Sequence, residues 1–152
     1  MPSKKPQIRR NLMPKVRAAA EKAVKAGGAN MLRHVGDVAE AASPGKGEFY
    51  KRGTRVHQAS APGDPWASDT GNARQSMTVD FRGGGDVLSA RVGPAMGHPD
   101  PDTGEEAASY VERLEYGGRN VAARPTMRTA AENGRESTAR LMGRVFNAEM
   151  RK

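Results

Sequence analysis

The sequence predicts an α+β domain: a long N-terminal helix, an antiparallel β-hairpin or small sheet, a short helix and a long C-terminal helix. Three observations predict it. Apolar residues recur at helical spacing near both ends of the chain. Two stretches of strict alternation flank a glycine-rich turn in the middle. Glycine and proline punctuate the boundaries between these patterns. At 152 residues the chain has the length of one domain.

Residues 1–11 are polar and basic with two prolines, and are expected to form a flexible basic arm carrying Lys4, Lys5, Arg9 and Arg10. The domain proper is then 12–152. Leu12, Val16, Ala20 and Val24 mark one helical stripe, resumed by Met31, Val35, Val38 and Ala42. Gly27-Gly28 interrupts it, so a kink or a break into two helices is expected there. Residues 43–68 are rich in proline, glycine and serine and read as a long loop, with a strand around Tyr50–Val56. Asp69 or Asn72 is a candidate cap for a short helix.

Met77, Val79 and Phe81 alternate with polar residues, as do Leu88, Ala90 and Val92. Gly83-Gly84-Gly85-Asp86 turns the chain between them, which predicts a hairpin with one apolar face. Ala107–Tyr116 reads as a short helix stopped by Gly117-Gly118. Pro125 sits where the last helix starts. Met127, Ala131, Leu141, Val145 and Phe146 mark its apolar side, and Gly134 is expected to weaken it midway.

Composition narrows the function classes. Alanine supplies 23 of the apolar residues, and Leu, Ile, Val and Phe together number only 20. Such a chain builds a thin core, so either much of it is loose or it completes its fold against other subunits. Both argue against a self-sufficient enzyme. Cysteine is absent, which excludes a disulfide scaffold, a thiol nucleophile and a cysteine-ligated metal, and fits a reducing compartment. No apolar run is long enough to span a membrane, and the basic N-terminus lacks the apolar segment of a secretory signal.

The net charge of +8 is unevenly spread. Residues 1–25 carry +7, residues 98–116 carry −5 and residues 135–152 carry +3. These blocks are ordinary solvated faces, patches that dock one subunit onto a neighbour, or a basic surface near nucleic acid. The basic arm has no interleaved aromatics for stacking on single strands, while phosphate attraction without base reading stays open.

No catalytic or metal constellation is defended. Asp69-Thr70-Gly71 matches the aspartic-protease triplet, but its flanks are not the apolar strand that the triplet needs, and a turn or cap is the better reading. His34, His57 and His98 have no partner at metal-ligand spacing. Asp100, Asp102, Glu105 and Glu106 lack the oxygen spacing of a calcium loop. The glycine turn lacks the ending of a phosphate-binding loop. No cofactor is implied. Trp66, the single tryptophan, is a core plug or, as preferred here, an interface anchor.

Three segments together carry a family resemblance. Residues 59–72, ASAPGDPWASDTGN, followed by ARQSM, resemble a signature of the form APG-[ED]-PP-x-x-DTG-x-L-x-x-S-I; they contain Pro62, Gly63, Trp66, Asp69, Thr70 and Gly71. Residues 110–118, YVERLEYGG, resemble Y-x-x-x-[VL]-E-[YF]-G-T and contain Glu115, Tyr116 and Gly117. Residues 122–128, AARPTMR, resemble x-A-R-P-F-[LM]-R-P and contain Arg124 and Pro125. These motifs are those of the head–tail joining, or tail-completion, proteins of the neck of long-tailed bacteriophages and related prophages. The resemblance covers roughly residues 55–150. Departures are Trp66 for the second proline, Ala73 for leucine, Gly118 for threonine, Thr126 for an aromatic and Thr129 for the last proline.

The resemblance implies a non-catalytic virion protein, assembled in the host cytoplasm. It would be a subunit of a homo-oligomeric ring, hexameric in the family, between the head-side connector and stopper proteins and the tail terminator. A head-to-tail ring has heterologous interfaces, and a basic lumen or arm would face genomic DNA passing through. Two rivals stand beside it: a basic DNA-binding or nucleoid-type protein, and a small aspartic protease using Asp69.

Overall fold

A computed structural model describes residues 8–69, 71–84 and 87–152. It is α+β. The elements in order are α1 (Ile8–Ala41), β1 (Phe49–Arg52), β2 (Arg55–Gln58), α2 (Asn72–Ser76), β3 (Met77–Gly84), β4 (Val87–Pro94), α3 (Ala107–Tyr116) and α4 (Thr126–Arg151). β1–β2 and β3–β4 are separate two-stranded antiparallel sheets.

The body is an antiparallel pair of long helices. Lys22 of α1 meets Glu149 of α4, Asn30 donates to Thr138, and His34 meets Ser137, so the contacts run in opposite directions along the two axes. The faces in contact are built from small residues four apart. On α1 they are Ala19, Ala23, Gly27, Val35 and Ala39, and on α4 Thr126, Ala130 and Gly134. Short side chains let the two backbones approach. A Cβ on Gly134 would lie 2.6 Å from Cδ2 of His34, and one on Gly27 2.6 Å from the sulfur of Met142.

This corrects three expectations. α1 begins at Ile8, so residues 8–11 belong to the helix, and the rest of the expected arm, residues 1–7 with Lys4 and Lys5, lies outside the described residues. The helix runs unbroken through Gly27-Gly28. Those glycines serve as contact points: Gly27 faces α4, while a Cβ on Gly28 would sit 2.7 Å from Val79 and 2.9 Å from Ala90 of the β3–β4 hairpin. The buried stripe starts one residue from the expected one: Ala19 and Ala23 are buried, whereas Leu12 is 43% exposed. Large apolar residues mark the wrong line because the contact selects for smallness.

The central hairpin has the expected face. Val79 pairs with Val92 and Phe81 with Ala90, and this side leans on α1. The stretch read as a long loop at 43–68 contains a second hairpin. Its register sets Tyr50 opposite His57 and Lys51 opposite Val56. Among the described residues it packs at most slightly on the other helices and strands, and Phe49 and Val56 are more than two-thirds exposed.

A small core joins the body to the remaining elements. Ala39, Trp66 and Leu114 form its centre, with Ala73, Met77, Tyr110 and Val121 packed around them. Trp66 is therefore a core residue of its own chain, 2% exposed, and not a surface anchor. Its bulk takes the place of the many large apolar residues that the sequence lacks. The short helix α2 is entered through Gly71, at φ 78°, which as the cap residue has no side chain to give.

Candidate functional site

The three motif segments, far apart in the chain, meet in one bonded junction. Gly63 N–H donates to Ala123 C=O at 2.9 Å, and Trp66 N–H to the Thr126 hydroxyl at 2.9 Å. Arg124 Nε donates to Ser60 C=O at 3.1 Å, while its backbone N–H donates to Leu114 C=O. The first segment is thus tied to the third, and the third to the second.

Glu115 is the keystone of the second segment. It sits near the end of α3 and is buried. Its carboxylate accepts from the backbone N–H of Met127 at 2.9 Å and of Arg128 at 2.8 Å. These are first-turn donors of α4, which no carbonyl within that helix can satisfy. A carboxylate there also opposes the positive end of the helix dipole. Pro125 immediately precedes α4 and offers no side-chain cap, so the cap comes from another helix. Gly117 ends α3 at φ 77°, and a Cβ there would press on Val121 C=O at 3.0 Å. Its neighbour Tyr116 points away and is 72% exposed.

A cleft of about 320 Å³ opens at this junction, between the β1–β2 hairpin, Ser60, Trp66, α3 and residues 120–124. On the hairpin, His57 Nδ1 lies 3.7 Å from Asp69 Oδ1, with both side chains largely buried. The Tyr50 ring meets His57 edge-on, with centroids 5.1 Å apart. Asp69 therefore faces a histidine of its own chain. No signal in the sequence linked these residues, because twelve positions of mostly irregular chain separate them.

The acidic block is largely spent within the chain. Asp102 pairs with Arg55, and Glu105 with Arg113 at 2.6 Å. Glu106 accepts from the N–H groups of Gly97 and His98, and Asp100 from those of Asp102 and Thr103. These acids shape the loop, which weakens the expectation that they dock a neighbour. The basic blocks are less evenly matched. The antiparallel helix pair sets Lys15, Lys22 and Lys25 of α1 at the same end as Arg144 and Arg151 of α4 and the following Lys152, and Lys22 and Lys152 share one carboxylate, Glu149. Among the described residues no group of three or more acidic, histidine or cysteine side chains could hold a metal ion, and no helix is long and apolar enough to cross a membrane.

Among the expected site residues, the structure brings Gly63, Trp66, Glu115, Gly117, Arg124 and Pro125 together at the junction. Pro62 is exposed beside Gly63, and Gly71 lies at the start of α2. Thr70 lies outside the described residues, and of Arg9 and Arg10 only the helical backbone is described. Comparison of the chain with protein-family models, with curated proteins and with solved structures gives no match.

Proposed function

We propose that this chain is a structural subunit of a bacteriophage neck, a ring component that joins or completes the tail at the head interface. The observation that carries the reading is the junction itself. The three segments that resemble neck-protein motifs are those that bond to one another, which gives their residues a shared reason to occur together. The shortage of buried bulk supports it as well. Phe49, Val56, Val87, Met96 and Tyr116 are all more than two-thirds exposed, an apolar surface suited to burial between subunits. In this reading the chain needs no catalytic group. The partners are copies of itself, the connector and stopper proteins on the head side and the tail terminator.

Native mass spectrometry of the purified protein, alone and mixed with the proteins encoded beside it, tests the proposal. A ring-sized species, alone or on mixing, is expected. A persistent monomer that ignores those partners refutes it.

One observation favours a second reading, a basic DNA-binding protein. The fold merges two basic blocks from opposite ends of the sequence at one end of the helix pair. That reading requires DNA binding by the isolated chain that falls steeply with salt. In a ring, the same surface would line or approach the channel for DNA.

A further inference from the structure

The cleft at the junction has a chemistry that the folding roles of its residues do not use. Its 320 Å³ falls at the low end of the range for small-ligand sites, ~300–1,000 Å³. Tyr50, Tyr110 and Trp66 give it aromatic walls, and Arg113 and Arg124 make its polar side cationic. Among the described residues, no carboxylate lines it.

Two of its side chains keep a buried polar atom with no partner among the described residues: Nε1 of Trp66 and Oγ of Ser60. Both residues are buried, at 2% and 3% exposure. An indole N–H only donates, and a hydroxyl donates or accepts. Both atoms are sealed from water where they stand, so each gains a partner only when a bound group displaces the side chains around it. Arg113 is engaged by Glu105. Arg124 bonds to the carbonyls of Ser60 and Ala122 and forms no ion pair among the described residues. The cleft therefore combines one available guanidinium, unmet donors and flat apolar walls. A cation finds no counter-charge there, and a neutral apolar group leaves the donors unmet.

We propose that this cleft binds a carboxylate carried on a flat apolar body, as in an aromatic acid or an aromatic residue at the end of a peptide chain. The guanidinium of Arg124 holds the carboxylate, with the Ser60 hydroxyl and the Trp66 indole as the further donors, and the aromatic walls enclose the body. This site stands independently of the neck reading.

The single tryptophan makes the test direct. In the full ¹⁵N-labelled protein one indole N–H resonance belongs to Trp66. Titration with N-acetylphenylalanine is expected to move it saturably. The uncharged N-acetylphenylalaninamide is expected to bind at least tenfold more weakly, since hydrogen bonds to a charged partner are the stronger ones (roughly tenfold or more in affinity). If 3-phenylpropionate matches N-acetylphenylalanine, the ligand is a small aromatic acid. If only the acetylated amino acid binds, the ligand is a chain end. Arg124→Gln is expected to weaken binding about tenfold. Because Arg124 also braces the junction, Ser60→Ala is the second variant, expected to weaken binding roughly threefold with the free indole resonance little moved. Four results would each overturn the proposal: no saturable shift with either acid at millimolar concentration, an equal response to the amide, an equal response to inorganic phosphate, or wild-type binding by both variants.

Discussion

Replacing Glu115 by alanine removes the cap that α3 supplies to α4. Two charge-assisted hydrogen bonds are lost, at 2.9 and 2.8 Å. Bonds to a charged partner contribute about 1.5–3 kcal/mol each. The two do not simply add here. Arg128 is exposed and its N–H can turn to water, whereas Met127 is half-buried. A loss of about 3 kcal/mol is expected, above the ~1 kcal/mol typical of a capping side chain, because the buried carboxylate serves two donors at once. For a chain of this size each kcal/mol lowers Tm by ~2–4 °C, so the expected fall is roughly 6–12 °C. Glu115→Gln keeps the shape and one carbonyl acceptor but brings an amide donor against the second N–H. It should lose about half as much. Thermal unfolding followed by far-UV circular dichroism, with urea midpoints as a check, measures both. An alanine variant within 2 °C of the parent (roughly 1 kcal/mol or less) would refute the capping argument. So would a glutamine variant as stable as the parent.

Other outcomes follow from the same geometry. Gly134→Ala is expected to destabilise the parent by about 1 kcal/mol, since the overpacking cost of ~1–3 kcal/mol against His34 exceeds the ~1 kcal/mol helix-propensity gain. In a His34→Ala background the same substitution should stabilise, a reversal that a double-mutant cycle in urea detects. The Glu149 carboxyl is held below the usual carboxylate range by its hydrogen bonds to Lys152 and then Lys22. A depressed folded-state value means stability present above the unfolded value and lost as pH falls through the folded one. Glu149→Gln should therefore remove a small, salt-sensitive part of the acid-side decline, seen by comparing melts from neutral to acidic pH. Phe49→Ser with Val56→Thr should leave the melting of the isolated chain nearly unchanged, within ~0.5 kcal/mol, yet reduce assembly with partners if the β1–β2 hairpin is an interface. Native mass spectrometry reads the second effect.

The local patterns in the sequence were enough to place most elements. Alternation over residues 77–81 and 88–92, a glycine turn between them and register set by the pleat give the central hairpin its apolar face. Gly117 and Pro125 bound the last two helices because their backbone preferences act within a few residues. Three of the segments that form the candidate site were also visible as motifs. That the first of them closes onto the other two was not, since Ser60 and Arg124 are bonded across 64 positions.

What only the tertiary structure decided is how these pieces close on one another. Periodicity of large apolar residues placed the buried face in the first half of α1 one residue away from the real one, and found Val35 in the second half. In that first half the real face is a row of alanine and glycine, whose value lies in letting another helix approach and is invisible until that helix is present. For the same reason Gly27, Gly28 and Gly134 read as weak points in isolation and prove to be contact points. Glu115 stood in a motif of the sequence with no role attached to it. Its role as a cap depends on the first turn of a helix that begins after a separate turn. Local backbone preference is written residue by residue, whereas helix separation, a borrowed cap and a cleft with unmet donors exist only where distant segments share the same space.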